Sequence, residues 1–148
     1  MSRAAVFTAL TTDPTLNLLG ITEDTVFPNW ASKERPSSTG PFLILRWQEK
    51  TVQVNLSGPR ILEVWAHIPM EISTDYGRID DIIHFVTKAL TALVQKPGED
   101  GFTITSVDYQ GKSPDFYDSA YNTINRNVSF GVLSHETLTS EIPLVETP

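Results

Sequence analysis

Apolar residues return every three to four positions between residues 75 and 95. There Ile79, Ile82, Ile83, Val86, Leu90, Leu93 and Val94 make a single stripe, the period of a helix that buries one face. Asp75 stands where an N-cap is needed, Asp80 and Asp81 lie towards the positive end, and Pro97-Gly98 stops the run. Elsewhere the period is two. Residues 42–48 place Leu43, Leu45 and Trp47 on one side and Phe42, Ile44, Arg46 and Gln48 on the other. Residues 60–68 set Leu62, Val64, Ala66 and Ile68 against Ile61, Glu63, Trp65 and His67, with Pro69 as the stop. A third alternation runs over residues 102–110. A fourth, over residues 122–133, has Ile124, Val128, Phe130 and Val132 inward and Asn125, Asn127 and Ser129 outward. Residues 2–12 read as a short helix that Asp13-Pro14 breaks, and another turn follows at 15–19 with Gly20 in the left-handed position after it. Residues 25–28 are a short extended piece. The order helix, strand, strand, helix, strand, strand predicts an α+β fold. Its four-stranded sheet is antiparallel or mixed, with the main helix and the short N-terminal helix packed on one face.

The connections are long and polar. NWASKERPSSTGP exceeds the usual length of a connection and carries Trp30, Lys33 and Arg35. Trp30 there either folds back on the body or anchors a partner. Residues 49–59 alternate weakly at Val52 and Val54 and read as a hairpin arm, while GKSPDFYDSAY forms a third loop with two carboxylates and three aromatics. After residue 135 the periodicity is lost, which predicts one domain over residues 1–135 and an acidic, flexible tail over 136–148.

Charge changes the picture more than size does. The chain of 148 residues is long enough for one core, and with no cysteine it has neither disulfides, nor a thiolate metal site, nor a cysteine nucleophile. Net charge is −7, which argues against ordinary nucleic-acid binding, because phosphate neutralisation needs clustered cations. Residues 1–60 hold six Lys/Arg and five Asp/Glu, net +1, whereas residues 61–148 hold five and 13, net −8. No apolar stretch reaches the roughly 20 residues that span a bilayer, and the first residues lack a signal-peptide pattern. The expectation is a protein without a membrane partner, made in a cytoplasm.

Candidate chemistry is sparse. His67, His84 and His135 are not at metal-ligand spacing, and Asp80 and Asp81, being adjacent on a helix, point about 100° apart. No nucleophile elbow, phosphate loop, dinucleotide fingerprint or zincin motif occurs. DFYDSAY, residues 115–121, is the one enzyme-like cluster, since carboxylates beside phenols can bind cations or sugars. Its competing reading is a loop whose aromatics cover one end of the sheet. The expectation is no catalytic residue, no metal and no cofactor.

Four segments in order resemble the tail terminator proteins of long-tailed, siphovirus-type bacteriophages. They are VFPNWASKERPSSTGPFLIL, RILEVWAHIP, YGRIDDIIHFVTKALTALV and PDFYDSAYNTINRNVSFGV. The resemblance implies a structural virion protein rather than an enzyme. It implies a ring of copies, typically a hexamer, on the head-proximal end of the tail tube, assembled in the host cytoplasm. There it stops tube polymerisation and presents a surface for head-tail joining. Its partners would be further copies, the tail-tube protein and a head-completion or neck protein. DNA would pass through the lumen without specific binding. On this reading Trp30, Lys33, Arg35, Val52 and Val54 are candidates for the subunit, tube or neck interface, and Asp108, Asp115 and Asp118 for an acidic lumen lining. The alternatives are another neck or tail component (a head-completion protein or a tail-tube subunit), a small enzyme using the Asp115 to Tyr121 loop, or a monomeric binding module.

Overall fold

The computed structural model describes residues 3–27, 40–49, 60–96 and 101–136. The four expected strands are present as β2 (Phe42–Glu49), β3 (Arg60–Pro69), β4 (Phe102–Lys112) and β6 (Thr123–Glu136). β2 and β3 form an antiparallel pair in unbroken register from Phe42 opposite His67 to Glu49 opposite Arg60. β6 then pairs with β3 from Arg60 opposite Val132 to Pro69 opposite Thr123, and β4 adds to the other side of β6.

Among the described residues the sheet has six strands rather than the expected four, and of the two expected forms it is the mixed one. β1 (Val26–Phe27) runs parallel to β2, and β5 (Phe116–Asp118) pairs with the first residues of β6. β1 lies within the extended piece expected at residues 25–28, whereas the three residues of β5 are too few to display a period of two and read as loop in the sequence. β5 has a place because β4 pairs with β6 only from Val128 onward, leaving Thr123, Ile124 and Asn125 to take another partner. The spatial order is β1-β2-β3-β6-β4, with β5 continuing the β4 edge.

The three helices of the described residues lie on one face of the sheet. In α1 (Arg3–Thr12) Val6 and Leu10 are buried, and in α2 (Pro14–Leu18) Leu16 is. Asp13 caps α2 by accepting from the Leu16 N–H, and Gly20 ends it at φ +95°. α3 (Tyr76–Thr91) buries Ile79, Ile82, Ile83, Val86, Ala89 and Leu90 against the strand residues Leu43, Leu45, Leu62, Val64, Ala66, Ile68, Ile124, Val128, Phe130 and Val132. Asp75 caps it through the Gly77 N–H at 2.8 Å. The expected helix ran to residue 95, but it ends at Thr91. The last turn tightens to i→i+3 bonds, and Gln95 at φ +67° donates its N–H to the Ile104 carbonyl at 2.7 Å, joining the chain to β4.

Two other boundaries move. β6 begins at Thr123 rather than residue 122, because Asn122 is left-handed at φ +55° and belongs to the turn. β6 also continues to Glu136, three residues beyond the expected end at 133, because Thr103 and Phe102 of β4 pair with His135 and Glu136. Residues 137–148, the rest of the expected tail, lie outside the described residues.

Candidate functional site

Past residue 112 the chain leaves β4 and is gathered onto the start of β6 by one side chain, Arg126. Its alternation puts it on the helix side of the sheet with Ile124 and Val128, and its side chain is 18% exposed. A guanidinium in that position needs acceptors on several sides. Nη1 donates to Asp80 Oδ1 of α3 at 2.6 Å, Nε and Nη2 donate to the Ser113 carbonyl at 3.0 and 2.8 Å, and Asp115 Oδ1 lies 3.3 Å from Nε. Arg126 thus ties strand, helix and loop together.

The loop beyond it is stapled at further points. The Tyr76 hydroxyl, from the first turn of α3, donates to the Phe116 carbonyl at 2.6 Å. Burial first, and the Asp115 charge second, push that phenol above its usual pKa. The Tyr117 hydroxyl donates to Asn122 Oδ1 at 3.0 Å, and the Asn122 amide donates to Glu71 Oε1 at 3.4 Å. Asp118 Oδ1 accepts from the Ala120 and Tyr121 N–H groups at 2.9 and 3.0 Å, closing the turn into β6. What these bonds leave in solvent is apolar area: Ile72, Phe116 and Tyr117 are 40, 42 and 55% exposed.

On the face of the sheet that carries none of the described helices, the helix-free face, the same turn meets a small buried cluster. His67 stacks flat on Phe42, with ring centres 4.8 Å apart and 2° between planes, and Tyr121 closes on both rings. His67 Nδ1 and Thr123 Oγ1 share a hydrogen bond of 2.8 Å. Burial lowers the His67 pKa to about 4, the Asp118 charge opposing the shift. Tyr121 is pushed up, by burial first and by Asp118 second. The loop aromatics therefore divide: Tyr121 covers an end of the sheet, while Phe116 and Tyr117 do not.

The three carboxylates expected to line a lumen do not share a surface. Asp108 pairs with Gly131 in register and Asp118 with Thr123, both on the helix-free face, whereas Asp115 is drawn to the helix side by Arg126. Asp80, expected only to complement the helix dipole, is instead the closest partner of Arg126. Trp30, Lys33, Arg35, Val52 and Val54 lie outside the described residues. Sequence reasoning missed Arg126, although the signal was present. Position 126 falls between two inward positions of β6, so its charge had to meet partners under the helix layer.

Between α3 and β4 lies an open cleft of about 220 Å³, lined by Asp80, Ile83, His84, Thr87, Tyr109 and Lys112. His84 is exposed and meets Phe85 edge-on at 5.1 Å. Among the described residues no three His, Asp or Glu side chains are placed to hold a metal ion, and no helix is long and apolar enough to cross a membrane. No family model matches the chain, and no curated protein matches it.

Proposed function

We propose that the chain is a structural assembly protein: a tail terminator that closes into a ring, a hexamer in this reading, on the head-proximal end of a phage tail tube. The ring stops tube growth and offers the neck protein its docking surface. One observation carries the reading. In loop 115–121, the cluster with the most enzyme-like composition, both carboxylates are bonded within the molecule, and two of the three aromatic rings face outward. Asp115 is held by Arg126, Asp118 accepts two backbone N–H bonds, and the Tyr117 hydroxyl donates to Asn122, while the Phe116 and Tyr117 rings stand exposed. Groups that do chemistry must be available to a substrate, whereas aromatic rings on a rigid frame serve as anchors for a protein partner. An acidic lumen, on this reading, draws on Asp108 and Asp118 of the helix-free face.

The test is the mass of the purified chain in solution together with negative-stain images. Closed six-membered rings of fixed size are expected. Open filaments of indefinite length would move the assignment to a tail-tube subunit. A chain that stays monomeric, alone and in the presence of tail tubes, would overturn the ring.

A further inference from the structure

We propose that the sheet continues from copy to copy, the outer edge of β4 in one subunit pairing with the outer edge of β2 in the next; this rests on the ring reading above. Among the described residues both edges are open. No strand pairs with the outer side of β4, and β1 covers β2 only at Leu43 and Ile44. Gln95 occupies the start of the β4 edge by donating to the Ile104 and Thr105 carbonyls. Beyond it Ser106, Asp108, Tyr109, Gln110 and Lys112 are exposed. An open edge is a template for another strand, and a fold either blunts it or uses it.

The two edges fit each other in direction, level and hydrogen-bond phase. β2, β3, β6 and β4 form an antiparallel ladder of four strands, so its outermost strands run opposite ways. Copies in one orientation therefore meet antiparallel. The stretch of β2 that β1 leaves uncovered, 45–49, lies level with 107–112 of β4, because Trp47, Leu62, Phe130 and Tyr109 form one row across the sheet. Leu43 donates its N–H outward to the Thr25 carbonyl, and alternation turns the Trp47 backbone outward as well. Carried along the row, the same alternation turns Tyr109 outward at the far edge. Ile104 agrees in phase, its carbonyl accepting Gln95 from outside, and so does Ser113, whose N–H donates inward to the Asn127 carbonyl. Tyr109 then opposes Trp47 of the next copy as a hydrogen-bonded pair and Val107 opposes Glu49, about four backbone bonds in all. They come from the unbroken run between the two bulges of β4.

The side chains agree with the backbone. Tyr109, 45% exposed, and the half-buried Trp47 both stand on the helix side, in the row of the core residues Leu62 and Phe130. The junction makes them an aromatic cross-strand pair. On the helix-free face Asp108 comes level with Gln48 and one diagonal step from Arg46, so the carboxylate meets an amide and a guanidinium. All helices stay on one side of the continued sheet. A contact between two unlike edges is heterologous, so it repeats from copy to copy and closes a ring where the rotation allows.

The chain has no cysteine, so an introduced pair reports the contact directly. Across the junction Gln48 and Asp108 form a non-hydrogen-bonded pair with Cα atoms about 4.5 Å apart, within disulfide reach. Within one copy they end the row Gln48, Ile61, Gly131 and Asp108, roughly 14 Å apart and out of reach. Both are exposed, so the fold does not depend on them. After oxidation the Gln48→Cys/Asp108→Cys protein is expected to run on a non-reducing denaturing gel as a ladder of multiples up to the ring, and each single variant as the monomer. A double variant that forms rings of wild-type mass but no ladder overturns the edge pairing and leaves the ring standing. So does a single variant that gives a disulfide dimer, since like edges would then meet. Hydrogen exchange of the wild type should show residues 107–109 protected in rings alone; protection gained only on adding tail tubes would give the edge to the tube protein instead. A wild type that stays monomeric with and without tubes removes the ring, and this junction with it.

Discussion

His67 is held neutral by its surroundings. Its ring is packed flat on Phe42, under Tyr121, with one nitrogen on Thr123, and burial takes its pKa from 6.5 to about 4. Between those two values the unfolded chain binds a proton at this position that the folded chain does not. Unfolding is therefore favoured as pH falls, and stability rises with pH through the window. The full contribution is present above pH 6.5 and is lost progressively down to about pH 4, a change on the order of 3 kcal/mol. Urea unfolding across that window should show midpoints rising with pH, and His67→Phe should flatten the slope even though it lowers overall stability by stranding the Thr123 hydroxyl. A slope unchanged in His67→Phe would assign the pH dependence to other groups.

At the level of elements, two glycines separate conformational strain from steric contact. Gly111 sits at φ +124° beside an irregularity of β4, with open space where a Cβ would go. Gly131 has ordinary backbone geometry, but a Cβ there would meet Gln110 Nε2 at 2.7 Å. The contact is with the far end of a flexible side chain that can swing away, whereas the φ of Gly111 cannot relax without breaking the β4–β6 register. Gly111→Ala should cost about 1 kcal/mol, while Gly131→Ala should lie within about 0.5 kcal/mol of wild type, both read by urea unfolding. The sequence was legible where an element is long enough to repeat its period. The α3 stripe through Ile79, Ile82, Ile83, Val86 and Leu90 and the alternations of β2, β3 and β6 lie where the pattern put them, whereas the alternation of β4 is broken by a register shift between Ile104 and Ser106 that brings Ile104 and Val107 to the same side. β5 escaped because three residues carry no period, and β1 was read as an extended piece but not as a strand of the sheet. The end of α3 escaped because Leu93 and Val94 prolong the stripe in a turn that is no longer helical. At the candidate site the carboxylates and aromatics of 115–121 were visible by type. Which were consumed and which exposed depended on Arg126, Tyr76 and Asn122, and only the fold brings those together.

For the whole molecule, the net −7 gains a direction once the sheet has two unlike faces. Helices cover one face, and Asp108 and Asp118 belong to the other. In a ring whose helix-free faces point inward, every copy adds carboxylates to the lumen, and their repulsion of phosphate reaches about 8 Å at physiological salt. Duplex DNA would then pass without being held. Asp108 is exposed on edge strand β4, so Asp108→Lys changes two charges per copy at a position where the side chain has room. Assembled rings of the variant should retain duplex DNA at low salt, with log affinity falling linearly in log salt as displaced counterions return, whereas wild-type rings should retain none. Fluorescence anisotropy of a labelled duplex, titrated with rings at two salt concentrations, reads both. Wild-type rings that bind the duplex as tightly as the variant would remove the acidic lumen. Variant rings that ignore it would put Asp108, and with it the helix-free face, on the outside of the ring.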